Sequence, residues 1–212
     1  MTPEVFWANK HLVLESAEQC DAFLGKLRAA KGAEANALVT WVPGTPLYIA
    51  ASADAAHPET NPWATFTHIV NCTATHPAPL DTYLSSIQPE TDRHLRYLCL
   101  GIPDGKRGQL ALGQALPVAE AWMRANVHDG CKVLVHCNHT RDRSVAVVVM
   151  LLIRMYMHVV RVGEEIKAQE DPVDKEEIRR VLVWLANHYP RAMPSRASLK
   201  QLNRYLIPAP TS

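Results

Sequence analysis

Neither sign of charge dominates this chain of 212 residues: 22 Lys and Arg stand against 21 Asp and Glu, a formal net charge of +1. A near-neutral balance predicts neither a nucleic-acid-coating protein nor a membrane-surface one, so any basic site must be local. Long apolar runs are missing too. The longest, Val145 to Ile153, is too short to span a bilayer, and the opening Met-Thr-Pro-Glu-Val-Phe-Trp lacks the basic flank and apolar core of a secretory signal. The five cysteines, Cys20, Cys72, Cys99, Cys131 and Cys137, are odd in number and follow neither a metal-ligand spacing nor a disulfide framework. The expectation is a soluble protein of a reducing compartment, the cytoplasm with the nucleus open, using no metal and no organic cofactor. Repeats, low-complexity tracts and linkers are absent as well, and the length suits one domain.

Periodicity supplies the elements. Ser16 to Ala30 places Ala17, Cys20, Phe23, Leu24 and Leu27 at helical spacing, with Ser16 as N-cap, so residues 1–40 read as an N-terminal helical decoration. Leu47 to Ala50, Thr67 to Cys72, Arg96 to Leu100 and Lys132 to Val135 read as four strands. Between the last two, Leu112, Ala115, Leu116, Ala119, Trp122 and Met123 share a helical face, and Pro117 predicts a helix that starts or kinks there. Over 171–212 the pattern is helical again. Asp171 and Pro172 suit a helix start before the stripe Ile178, Val181, Leu182 and Leu185, which Tyr189-Pro190 ends, and Ser195 suits a cap before Leu199, Leu202 and Leu206. Helices alternating with strands predict a single α/β domain around a central, mostly parallel sheet.

Within this frame one stretch carries chemistry: Lys132-Val-Leu-Val-His-Cys-Asn-His-Thr-Arg-Asp-Arg-Ser144. A thiol becomes a useful nucleophile where a helix N-terminus and a nearby cation favour the thiolate, and Cys137 is placed for both. If Val145 to Met155 is a helix, the amides of Asn138 to Arg143 gather at its N-terminus, where an anion binds. Arg143 can grip two phosphate oxygens with its planar fork, and Ser144 can donate to the thiolate. His136 is expected to fix the loop through its ring nitrogens, and Asp142 to brace Arg141 or Arg143. Asp104, in Gly-Ile-Pro-Asp-Gly, follows the third strand. A parallel sheet brings it to the same carboxyl edge as the loop, making it the candidate acid for the leaving oxygen.

This layout of His-Cys, five residues, Arg-Ser, with an acidic loop some thirty residues upstream, resembles the cysteine-dependent phosphatases of the dual-specificity type. The resemblance implies Cys137 as nucleophile, Arg143 as phosphate clamp, Ser144 as aid to the leaving thiolate and Asp104 as general acid. It also implies a phosphorylated protein, RNA or nucleotide as substrate. Thr140 stands where that family usually has glycine. A β-branched residue resists the positive φ that glycine adopts freely, which opens the way to a reshaped loop and a non-catalytic site. His139, two residues after Cys137, is similar to the loop of RNA 5′-triphosphatases. The run around Ser144 and the segment from Pro194 to Asn203 look like the phosphatase-like C-terminal domain of initiator tRNA ribosylphosphate transferases. That second likeness implies a phosphate- or tRNA-binding module. Arg179, Arg180, Arg191, Arg196, Lys200 and Arg204 could line a path for RNA, although no aromatic platform or known RNA-binding motif accompanies them.

Overall fold

The strand Val133–Cys137, β5, is buried at all five positions, and a strand covered on both faces belongs in the middle of a sheet. The computed structural model describes residues 39–52, 65–75, 96–161 and 173–207. In it β5 lies at the centre of a five-stranded sheet in the order β1-β2-β5-β3-β4. The flanking strands are β1 (Val39–Trp41), β2 (Leu47–Ala51), β3 (His68–Asn71) and β4 (Arg96–Cys99). All neighbours run parallel except β1, which pairs antiparallel with β2. The expected four strands are therefore present, and the sheet is mostly parallel as the alternation of elements required. The three-residue β1 had no alternating pattern to announce it. It follows from the hairpin instead, where Gly44 at φ 71 turns the chain and Val42 N–H donates to the Leu47 carbonyl at 2.9 Å.

Five helices complete the described residues: α1 (Lys106–Asn126), α2 (Arg143–Met155), α3 (Met157–Val160), α4 (Lys175–His188) and α5 (Arg196–Leu206). The ten residues Ser144 to Ile153 of α2 are buried without interruption, so this helix is enclosed by the sheet and by α1, α4 and α5. Burying a Val, Leu or Ile side chain contributes about 1.5–3 kcal/mol, so α2 is a principal source of stability for the fold. Its N-terminus is held still as a consequence.

Two boundaries differ from expectation. Helix α1 begins at Lys106 rather than near Pro117, which it carries internally. Leu112, Ala115 and Leu116, all buried, extend the stripe of Ala119 and Met123 forward past the proline, which sits on the exposed side where water can meet the freed carbonyl. Helix α4 is capped by Asp174, whose side chain accepts from Glu177 N–H at 2.8 Å; Asp171 and Pro172 lie outside the described residues. So does the expected helix from Ser16 to Ala30. Ser195 caps α5 as the sequence indicated, accepting from Ser198 N–H at 3.2 Å. Glu120 of α1 joins the helices together, accepting from the Tyr205 hydroxyl at 2.8 Å and pairing with Arg124 at 2.8 Å and Arg154 at 3.6 Å.

Candidate functional site

Parallel pairing decides what shares an edge. Ala51 pairs with Cys137 and Asn71 with Cys99, so β2, β5, β3 and β4 all end on one side, and the loops after β4 and β5 meet there. An open cleft of about 590 Å³ lies at that edge, lined by Pro103, Asp104, Gly105, Gly108, Gln109, Cys137, His139, Arg141, Asp142, Arg143, Ser195 and Ser198. The Cys137 thiol forms part of its lining, with its residue almost fully buried, and Sγ lies 3.1 Å from the Ser144 hydroxyl.

The loop closes on the first turn of α2, whose leading N–H groups have no partner within the helix. Asp142 occupies the N-cap position yet makes no side-chain cap; its Oδ1 accepts instead from Ser195 N–H at 2.8 Å. The positive end of α2 thus stays uncapped by any carboxylate of its own. This corrects the expected role of Asp142, which braces the segment before α5 rather than Arg141 or Arg143. Beside it Met193 N–H donates to the Arg141 carbonyl at 3.0 Å, giving the loop a second tie to the same segment.

Arg143 reaches across the cleft. Its Nη1 donates to the Ile102 carbonyl at 2.7 Å and its Nη2 pairs with Asp104, whose second oxygen accepts from Asn138 Nδ2 at 2.7 Å. The acidic loop and the loop after β5 are therefore joined through a guanidinium, a carboxylate and an amide. Asp104 thus stands at the sheet edge where the parallel order of β4 and β5 was expected to put it.

Thr140 answers the question posed by its side chain. It takes φ 50, the left-handed conformation that glycine adopts freely, and no other described non-glycine residue has positive φ. The backbone keeps the glycine-type turn and the threonine bears the strain, roughly 1–2 kcal/mol. Its hydroxyl is buried with no hydrogen-bond partner at ordinary distance, although it lies close to the Tyr189 phenol. Burial pushes the Tyr189 phenol up, and the neighbouring Thr140 hydroxyl and Arg191 oppose that rise.

His136 does not fix the loop as expected. Its Nδ1 meets the Ser52 hydroxyl at 3.0 Å, tying β5 to the residue after β2, and burial pulls its pKa down to about 4, so the ring is neutral. Its Nε2 is buried without a partner. A ring protonated on Nδ1 leaves only a bare lone pair there, the cheaper of the two tautomers.

Among the described residues the other cysteines, Cys72, Cys99 and Cys131, are free thiols. Burial, and then the proximity of Cys137, push the Cys72 thiol well up, away from the reactive form. Of the tail cations, Arg179 and Arg180 pair with Glu176 and Glu177 of their own helix. Sequence reasoning did not single out Gly108, Gln109, Ser195 or Ser198 as lining residues. Only the cap signal at Ser195 was visible, and it spoke of a helix end rather than of a cleft. Among the described residues no cluster of His, Cys, Asp and Glu could hold a metal ion, and no helix is long and apolar enough to cross a membrane.

With this geometry in place, solved structures of other proteins share the fold. The Yvh1 phosphatase domain from Chaetomium thermophilum is 22% identical, with a TM-score of 0.54 over 79% of this chain and 94% of that one. The structure of Tk-PTP in its active form is 18% identical, with a TM-score of 0.51 over 80% of this chain and 97% of that one. In sequence the chain is 23% identical over 226 residues to an uncharacterized protein of Schizosaccharomyces pombe, C3F10.06c; the match takes in all of this chain but 45% of that protein. The chain thus spans less than half the length of the curated relative it matches. The family model described as the Rit1 DUSP-like domain, of the Init_tRNA_PT family, matches residues 96–206. These residues hold Asp104, the loop after β5, the enclosed helix α2 and the segment that ties the loop down, and by this match the chain belongs to the Rit1 DUSP-like domain family.

Proposed function

We propose that the chain hydrolyses a phosphomonoester through a phosphocysteine formed on Cys137. One observation carries this reading: Cys137 Sγ lies 3.1 Å from Ser144 Oγ at the foot of a helix whose N-terminus no carboxylate caps, with Arg143 and Asp104 across the same cleft. The thiolate attacks phosphorus while the loop amides and Arg143 hold the equatorial oxygens. Once phosphate has displaced it from Arg143, Asp104 takes up a proton from solvent and gives it to the departing oxygen, then takes one from the water that attacks the phosphocysteine. Ser144 donates to the sulfur as it leaves. Before substrate arrives, Asp104 sits on Arg143, so the incoming phosphate replaces a carboxylate with a better bidentate partner. Turnover of an aryl phosphate, followed by release of its phenol, should vanish in Cys137→Ser. Undiminished turnover in that variant would sink the reading.

A second reading is favoured by the family. The chain resembles the phosphatase-like part of initiator tRNA ribosylphosphate transferases and covers less than half of its curated relative, which suits a module that holds a phosphate borne by tRNA without cleaving it. Under it, tRNA or phosphate binding survives Cys137→Ser and is lost in Arg143→Ala, while the wild-type chain releases no phenol. The same pair of variants therefore separates the two.

A further inference from the structure

We infer that Arg141 forms a second anion seat in the cleft, so that the ligand carries a second phosphate group near the one over Cys137 rather than being an isolated phosphomonoester. The inference rests on the reading that phosphate binds over Cys137, and it names the substrate class for that site.

Cleft charges are distributed unevenly. Of its two guanidinium groups, Arg143 is committed to the Ile102 carbonyl and to Asp104. Arg141 lines the same cleft, is exposed, and has no ion pair among the described residues. Its neighbour Asp142 is turned to Ser195 N–H. The one other carboxylate lining the cleft, Asp104, is held by Arg143 and Asn138. Neither lining carboxylate therefore neutralises Arg141.

Its position is built rather than incidental. The Arg141 carbonyl accepts from Met193 N–H at 3.0 Å, and the next residue is tied to Ser195 N–H at 2.8 Å, so the backbone that bears the guanidinium is fixed on both sides. A fixed root lowers the entropy lost when a long side chain binds. The cleft, at about 590 Å³, also has more room than one phosphate needs, and the start of α5 lines it with Ser195 and Ser198. The planar fork of an arginine lining such a space suits a second phosphate.

Two sources share this chemistry, a polyphosphate end and the phosphodiester next to a terminal phosphate in RNA. Equilibrium binding to the Cys137→Ser chain tests the seat without requiring turnover, using inorganic phosphate, pyrophosphate and a 5′-phosphorylated diribonucleotide set against its mononucleotide. A ligand with the second phosphate should bind about tenfold tighter than its partner with one, a hydrogen-bonded charge pair's worth. Arg141→Ala should remove most of that ratio, Arg141→Lys should keep part of it, and added salt should shrink it because the group is exposed. Whichever source shows the larger ratio identifies the ligand. Binding of phosphate with a ratio near one, or a ratio that survives Arg141→Ala, overturns the second seat and leaves the phosphate site intact. Absence of phosphate binding overturns both readings.

Discussion

Thr140 shows how a single side chain can mislead a reading of sequence. Its β-branch argued against a left-handed turn, yet the residue sits at φ 50, because its neighbours on both sides are fixed: Cys137 by the central strand, Arg141 and Asp142 by Met193 and Ser195. Left-handed strain at this residue, roughly 1–2 kcal/mol, exceeds the roughly 0.5–1 kcal/mol of extra chain entropy that glycine would lose. Thr140→Gly should therefore raise the stability by about 1 kcal/mol, read as an upward move of the urea midpoint at constant slope. A fall in the midpoint would mean that the threonine packs well enough to outweigh its strain. The candidate residues of the loop were legible because a thiol, an arginine and a hydroxyl at that spacing have few other reasons to coexist. The ties that hold them were not, since Asp142 to Ser195 spans fifty-three positions with no local pattern.

Between elements, α1 approaches the acidic loop closely at Gly108. A Cβ placed on Gly108 would stand 2.0 Å from the Pro103 carbonyl oxygen, a backbone atom that cannot rotate away. Gly108→Ala must therefore displace the segment bearing Asp104, at a cost of about 1–3 kcal/mol. If Asp104 protonates the leaving group, this variant should slow hydrolysis of alkyl phosphates far more than of aryl phosphates with acidic phenols. Equal slowing of both would detach the acid role from this loop. At this scale the strands and the stripe of α4 were readable from periodicity, whereas Pro117 concealed the first three turns of α1. A proline is a local penalty, and burial of Leu112, Ala115 and Leu116 outweighs it.

Across the whole molecule, the sheet buries two imidazoles that the unfolded chain would expose. His136 is pulled down to about 4 by burial, and His68, edge-on to Trp122, is lowered by burial as well. Each binds a proton more readily when unfolded, so stability is full above the ordinary histidine value near 6.5 and declines as pH falls towards 4. For His136 the loss amounts to about 3 kcal/mol over that window. His136→Asn, which can keep the contact with Ser52, should flatten the dependence of the urea midpoint between about pH 5 and pH 7 by roughly one proton. A slope parallel to the wild type would assign the titration elsewhere. The alternation of strands and helices made the α/β architecture legible at this scale, because parallel strands need crossover helices; the edge hairpin of β1 was too short to register. The loop after β5 is tied to Met193 and Ser195, which come much later in the chain. During synthesis the ribosome releases Cys137 and Arg143 well before the residues that lock their loop, so a nascent chain already holding the sheet and α2 still lacks a finished site. The loop is thus completed only after α4 has been made, and a chain stalled or cut short of residue 193 carries Cys137 beside a loop that lacks both ties.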